Sequence, residues 1–221
     1  MAALVILTLY CITFLVGWAI GEVLLKERGE SNTIPYQKRK PLILLNIVLL
    51  ISIIAAGFLL FSDMISFSLT LPIWVIMTQA LMIFFIDDAW FYWSHRYMHV
   101  NKYMLRKFHA VHHRVPRPLP LDYFYVHPVD WLFSGAGIPI AITASYLIFG
   151  VISFYAVFAW AVFKAFHELD LHSGIRTRIG NWKYMKWMTT AEYHGDHHAK
   201  FHGNYSSVFT FWDKVLKTEL K

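Results

Sequence analysis

The sequence predicts an all-α integral membrane protein. About five membrane helices, the last two a short hairpin, sit beneath a cytoplasmic helical cap that holds a histidine-rich dimetal site. Three observations predict this. Hydrophobic residues make up 57% of the chain and charged residues 15%, with a mean hydropathy of +0.44, whereas a soluble domain carries about 25% charged residues. Several apolar runs reach the roughly 20 residues that a membrane-crossing helix needs. The 12 histidines gather in the polar stretches that follow those runs. Residues 1–70 read as N-terminal membrane helices and 71–218 as the histidine-bearing domain, the whole forming one membrane-embedded unit.

The first run, Ala2 to Leu25, lacks a positive leader and exceeds a signal-peptide core, so it reads as a spanning helix. The polar loop "KERGESNTIPYQKRK" follows, and then a second run from Pro41 to Phe61, with Pro41 at a plausible helix start. "SDMISFS" breaks the chain before a third run, from about Leu69 to Trp93, which continues as a helix into "WSHRYMH". Prolines at 116, 118 and 120 predict irregular structure there. A fourth apolar stretch, about Val129 to Phe166 and broken near Gly150, reads as the hairpin. The single cysteine, Cys11, excludes an internal disulfide and a Cys-based zinc site.

Charge sets the expected topology. With the loop at 26–40 in the cytoplasm, all 20 Lys and Arg fall on the cytoplasmic side, and Asp63 is the one charged residue opposite. That is a positive-inside pattern, and it carries every histidine to the same side. The formal charge of +6 therefore reports topology and not nucleic acid.

Ten histidines form four clusters: His95 and His99; His109, His112 and His113; His167 and His172; His194, His197 and His198. Residues three or four apart share a helix face, so His95 and His99 stack. In each HX2HH triplet the outer two share a face, and the third is turned by roughly 100° toward a different metal or another angle on the same one. Ten donors exceed one tetrahedral site and suit two metals. A lone interfacial histidine is usually a surface residue; this clustering is not that pattern. His127 and His202 stand outside it.

Imidazole suits Zn, Cu, Fe and Ni. "HELDLH" is not the HEXXH of zinc peptidases, and the Glu-x-x-His pattern of soluble di-iron bundles is missing. The stretches "DDAWFYWSHRYMH", "HAVHH", "HPVDW", "LHSG" and "HGDHHAKFHGNYSSVFTFWDKVLKT" resemble the fatty acid hydroxylase superfamily, from about Leu71 to Thr218. The HP-X-D of His127 to Asp130 and "GNY" look most like its sterol 4-methyl oxidase branch.

The resemblance implies a cap holding two Fe ions, with zinc in some purified samples, and O2 as cosubstrate. It implies that His95, His99, His109, His112, His113, His167, His172, His194, His197 and His198 are ligands, with no catalytic residue beyond the metal site. It implies hydroxylation or desaturation of a lipid such as a sterol or fatty acyl chain. Electrons would come from cytochrome b5, a ferredoxin or a reductase, since no nucleotide or flavin fingerprint is present. The ER or a bacterial inner membrane would suit such a chain.

Metal-bound imidazoles usually donate their second N–H to an acid or carbonyl. Asp88, two turns before His95, is the leading candidate for that role; Asp170, Asp196 and Asp213, with His127 and His202, are further ones. The small-residue run "SGAGIPIA" reads equally as a lipid entrance or as close helix packing. The rival readings are a zinc-dependent membrane hydrolase and a metal-binding or transport protein.

Overall fold

The apolar runs become long helices whose cap-side ends carry the polar residues. The computed structural model describes residues 2–29, 32, 34–68, 70–175 and 186–220. Helix α1 spans Ala2–Arg28 and α2 spans Tyr36–Phe61. A 3-10 turn and the two-residue strand β1 (Ile65–Ser66) lead to α3, Ile73–Val100. In the cap, α4 (Lys102–Lys107) precedes two 3-10 segments, His109–Arg114 and Pro120–Phe124. The chain then re-enters through α5 (Pro128–Ser134) and α6 (Gly137–Phe149), turns at β2 (Ile152–Ser153) and returns along α7, Phe154–Leu171. The cap closes with α8 (Ala191–Lys200) and α9 (Phe211–Val215).

Among the described residues, four helical segments are long and apolar enough to cross a membrane: Leu4–Arg28, Tyr36–Met64, Ile73–Val100 and Pro128–Phe149. The expected count of about five is not confirmed, because α7 is not among them; its 18 residues include Lys164, Glu168 and Asp170. The hairpin itself forms. Gly150 closes α6 at φ 68°, a left-handed position that glycine adopts without strain. Leu15, Leu59, Leu81 and Leu147 are 72%, 83%, 69% and 78% exposed, the apolar surface expected of helices solvated by lipid.

Helix α2 begins five residues before the predicted Pro41, which lies inside it. The early turn is held because Tyr36 and Arg39 are buried against the cap, Arg39 pairing with Asp122. The main core joins α1, α2, α7 and the 120–124 segment through Tyr10, Phe14, Ile43, Leu121, Phe124 and Leu169. A second core joins α3, α6 and α7 at Ile83, Ala141 and Ala156. There a Cβ on Gly137 would lie 2.8 Å from the Asp87 Cα, so at Gly137 the small-residue run serves close helix packing. At the far end β1 pairs in parallel with β2. Buried Gln79 donates to the Val151 carbonyl (2.8 Å) and accepts from the Ser153 N–H (2.7 Å), so its amide is satisfied in an apolar setting.

Candidate metal centre

The last two turns of α3 carry His95 and His99, which keeps them on one face as their spacing predicts. His109, His112 and His113 sit on the first 3-10 segment, His172 caps α7, and α8 carries His194, His197 and His198. These nine side chains converge into two groups. One is His95, His99, His109, His113 and His197; the other is His112, His172, His194 and His198. Within each group the candidate ligand nitrogens lie within 4.8 Å of one another. In each triplet the outer pair faces one group and the middle histidine the other, so the two triplets exchange their middle members.

Hydrogen bonds fix the tautomers. His95 Nδ1 donates to the Tyr205 carbonyl (2.8 Å) and His197 Nδ1 to the Gly203 carbonyl (2.7 Å). His109 Nδ1 donates to Asp130 Oδ2 (2.7 Å) and His172 Nδ1 to the Glu168 carbonyl (3.0 Å). His112 Nδ1 reaches the Tyr125 carbonyl at 3.3 Å. A carbonyl or carboxylate oxygen only accepts, so each of these Nδ1 atoms holds the proton and each Nε2 presents a lone pair.

Those lone pairs face other imidazoles. His109 Nε2 is 2.9 Å from His99 Nε2 and 3.0 Å from His113 Nε2. His197 Nε2 is 3.2 Å from His113 Nε2. In the second group His194 Nε2 is 3.1 Å from both His172 Nε2 and His198 Nε2. Two lone pairs at this range repel unless a proton or a metal cation lies between them. Neighbouring nitrogens on one metal, with bonds of about 2.1 Å, stand about 3 Å apart. The donor set therefore fits two metal ions.

Six of the cap histidines are held neutral, the form that binds metal. Burial, reinforced by the neighbouring imidazoles, pushes His112 down to about 3. The same two causes hold His113, His194, His197 and His198 well below the usual histidine range. Burial also lowers His172, against the opposing pull of Glu168.

The remaining candidates divide. His167 lies outside both groups; its Nε2 is within 3.1 Å of Thr189 Oγ1 and 2.9 Å of the Ser207 carbonyl. Asp88 is buried, and it holds the 208–212 segment instead of an imidazole. It accepts from the N–H groups of Val208 and Phe209 and from Trp212 Nε1. Asp213 accepts from the Tyr205 and Ser206 N–H groups, Tyr193 Oη and Thr218 Oγ1, so it fixes the residue whose carbonyl orients His95. Asp170 is half-buried at the end of α7, where its carbonyl accepts from Ser173. Asp196 is exposed, 4.0 Å from Lys200. His127 caps α5 by accepting the Val129 N–H at 3.2 Å. His202 is exposed and bonded to the Lys200 carbonyl.

Three features escaped the sequence reading of supporting groups. The carboxylate on an imidazole belongs to Asp130, for which the only signal was its place after HP-X. The "GNY" stretch supplies the Gly203 and Tyr205 carbonyls that orient His197 and His95. A buried polar cluster on α7 joins Lys164 Nζ to Glu168 (3.0 Å), Ser207 Oγ (2.7 Å) and Asp87 (3.7 Å). A lysine inside an apolar run is costly, and that was its signal.

The sequence model described as fatty acid hydroxylase matches residues 80–218, which include all nine converging histidines. The chain belongs to the fatty acid hydroxylase family. Among similar proteins is methylsterol monooxygenase erg25B of Aspergillus fumigatus, 31% identical over 66% of this chain and 49% of that protein. Methylsterol monooxygenase 1 of Rattus norvegicus is 32% identical over 62% and 44%. The very-long-chain aldehyde decarbonylase GL1-11 of Oryza sativa is 30% identical over 88% of this chain and 73% of its own length. The chain spans about half the length of the sterol-oxidising relatives it matches. No solved structure matches it. The family region thus coincides with the histidine groups, on a chain with four helices long and apolar enough to cross a membrane among the described residues.

Proposed function

We propose that this protein is a di-iron, O2-dependent hydroxylase or desaturase of a membrane lipid, fed by an external electron donor of the cytochrome b5, ferredoxin or reductase kind. One observation carries the reading: nine imidazoles, five of them with tautomers fixed by hydrogen bonds, aim their Nε2 atoms into two adjoining, buried groups. Five histidines (His95, His99, His109, His113, His197) would hold one ion, and four (His112, His172, His194, His198) the other. His167 is left out of this ligand set. When bound, the two ions supply O2 activation and removal of hydrogen from an unactivated C–H bond.

The chain's own residues provide the conditions for that chemistry. Tyr205, Gly203, Asp130, Tyr125 and Glu168 hold the Nδ1 protons outward, so the ligand lone pairs need not reorganise on binding. Burial of eight of the nine histidines keeps bulk water from the reacting centre. The four-histidine group has fewer protein donors, and an ion that keeps an open position is the one able to engage substrate. Distribution of Lys and Arg at the cap supports a cytoplasmic site. The names of the relatives support two substrate pools, methylsterols and very-long-chain aldehydes.

The reading is tested by metal analysis together with O2 uptake. Purified full-length protein loaded with ferrous iron should retain two ions per chain. It should consume O2 when given a reductant and one of the two lipid pools. His112→Ala should retain one ion fewer and lose turnover. An iron-loaded chain that never consumes O2 with any membrane lipid would overturn the oxygenase reading and favour the zinc hydrolase alternative.

A further inference from the structure

The family region begins at residue 80 and leaves α1 and α2 unexplained. The two histidine groups differ in what holds them. The acceptors that orient His95, His197, His109, His112 and His172 are Tyr205, Gly203, Asp130, Tyr125 and Glu168, all inside the family region. In the four-histidine group the backbone next to the oriented histidines or their acceptors is itself bonded to the N-terminal helices. His112 donates to the Tyr125 carbonyl, and α2 fixes the backbone on both sides of it. Asn46, fully buried, donates Nδ2 to the Phe124 carbonyl (2.9 Å) and to the Val126 carbonyl (2.8 Å). Two turns earlier on α2, Arg39 pairs with Asp122, whose carboxylate also accepts the Leu119 N–H at 2.7 Å.

Helix α1 braces the backbone that follows His172. Arg28 donates to the Ser173 carbonyl (3.1 Å) and the Gly174 carbonyl (3.3 Å), directly after that histidine. At Gly17 the helix lies so close to both supports that a Cβ would stand 2.6 Å from Leu169 Cδ2 and 3.0 Å from Leu121 Cδ2. A buried amide in an apolar helix costs free energy unless its donors are used. Both donors of Asn46 are spent on the segment that aims His112.

We propose that α1 and α2 are positioning elements of the four-histidine group, with Asn46 the positioning residue for His112. Asn46 touches no ligand nitrogen; it acts through the Tyr125 carbonyl. The assignment rests on the dimetal reading above. The test is a titration of metal-free, full-length protein in lipid nanodiscs with Co2+, followed in the visible spectrum. Wild type should take up two equivalents with separable spectra. Asn46→Leu should bind one equivalent unchanged and the other at least tenfold more weakly. The spectrum that survives should match the one left by His112→Ala.

Gln79→Leu is the control for a merely structural role. It removes an equally buried amide at the far end of the bundle, and should lower the melting temperature while leaving both equivalents intact. Where Asn46→Leu does not fold, Arg28→Met, at an exposed position, should weaken the same equivalent about threefold or more. Equal weakening of both equivalents, or behaviour matching Gln79→Leu, overturns the assignment. A wild type that takes up fewer than two equivalents overturns the dimetal reading and the assignment with it.

Discussion

Asp130 and His167 show how finely ligand roles divide at the scale of single residues. Asp130 is 2% exposed and accepts the hydrogen bond donated by His109 Nδ1. Outer carboxylates of this kind typically contribute 10–100-fold to metal affinity. Asp130→Ala should therefore weaken one of the two ions by at least about tenfold, read by competition with a chelator. The four-histidine ion should be unchanged, because none of its imidazoles is bonded to Asp130 in the structure. His167 makes the opposite prediction. Its Nε2 faces Thr189 and Ser207, so His167→Gln should keep two ions per chain while lowering thermal stability. Loss of an ion in that variant would return His167 to the ligand set.

At the scale of elements, the segment from Gly203 to Thr210 is a scaffold stretched over the centre. Gly203 has φ 74°, and a Cβ there would lie 2.7 Å from the Thr218 carbonyl oxygen. Gly203→Ala should destabilise the fold and displace the carbonyl that orients His197, visible as a lower melting temperature together with weaker retention of one ion. Asp213→Asn removes a charged acceptor from four donors. Bonds to a charged group contribute about 1.5–3 kcal/mol each, so denaturant unfolding should show a loss of at least about 1.5 kcal/mol. The Val208 and Phe209 N–H groups, bonded to Asp88, tie the same segment to α3. The "GNY" and "WD" stretches are therefore both parts of one hydrogen-bonded frame, joined by Asp213.

At the scale of the whole molecule, the metal-free protein should be sensitive to acid. His112, His113, His172, His194, His197 and His198 all have folded values below the usual histidine range, chiefly through burial. The unfolded chain binds protons on these groups near pH 6.5, whereas the folded chain does not. Stability is then full above about pH 6.5 and falls below it, by about 1.4 kcal/mol per pH unit for each histidine involved. Thermal melts of the metal-free form between pH 8 and pH 5 should show a steep decline below about 6.5. Bound metal should move that decline to lower pH, because protons must then displace the ions. A flat profile would show that the cap histidines are not held neutral by the fold.

Much of this molecule is legible along the chain. Apolar length marks α1, α2, α3 and the α5–α6 segment, since a lipid-solvated helix must satisfy its backbone internally and present apolar side chains. The spacing within "HRYMH" places His95 and His99 on one face before any tertiary contact exists. The triplets likewise declare that their middle members turn away. The partners of each imidazole are not legible, because they arrive from up to 110 residues away, as Tyr205 does for His95. Nor does spacing divide nine histidines into five and four. His197 joins the α3 histidines and His112 joins those of α7 and α8, a result of how α8 docks across the bundle. The role of Asp88 followed the same rule: helix periodicity aligned it with His95, and packing of the 208–212 segment took its carboxylate instead. The sequence alone determined a membrane-embedded, histidine-rich chain, since composition and local period act over single helices. Only the tertiary structure decided which nitrogens share an ion and which carbonyls aim them, because those are contacts between elements distant in the chain.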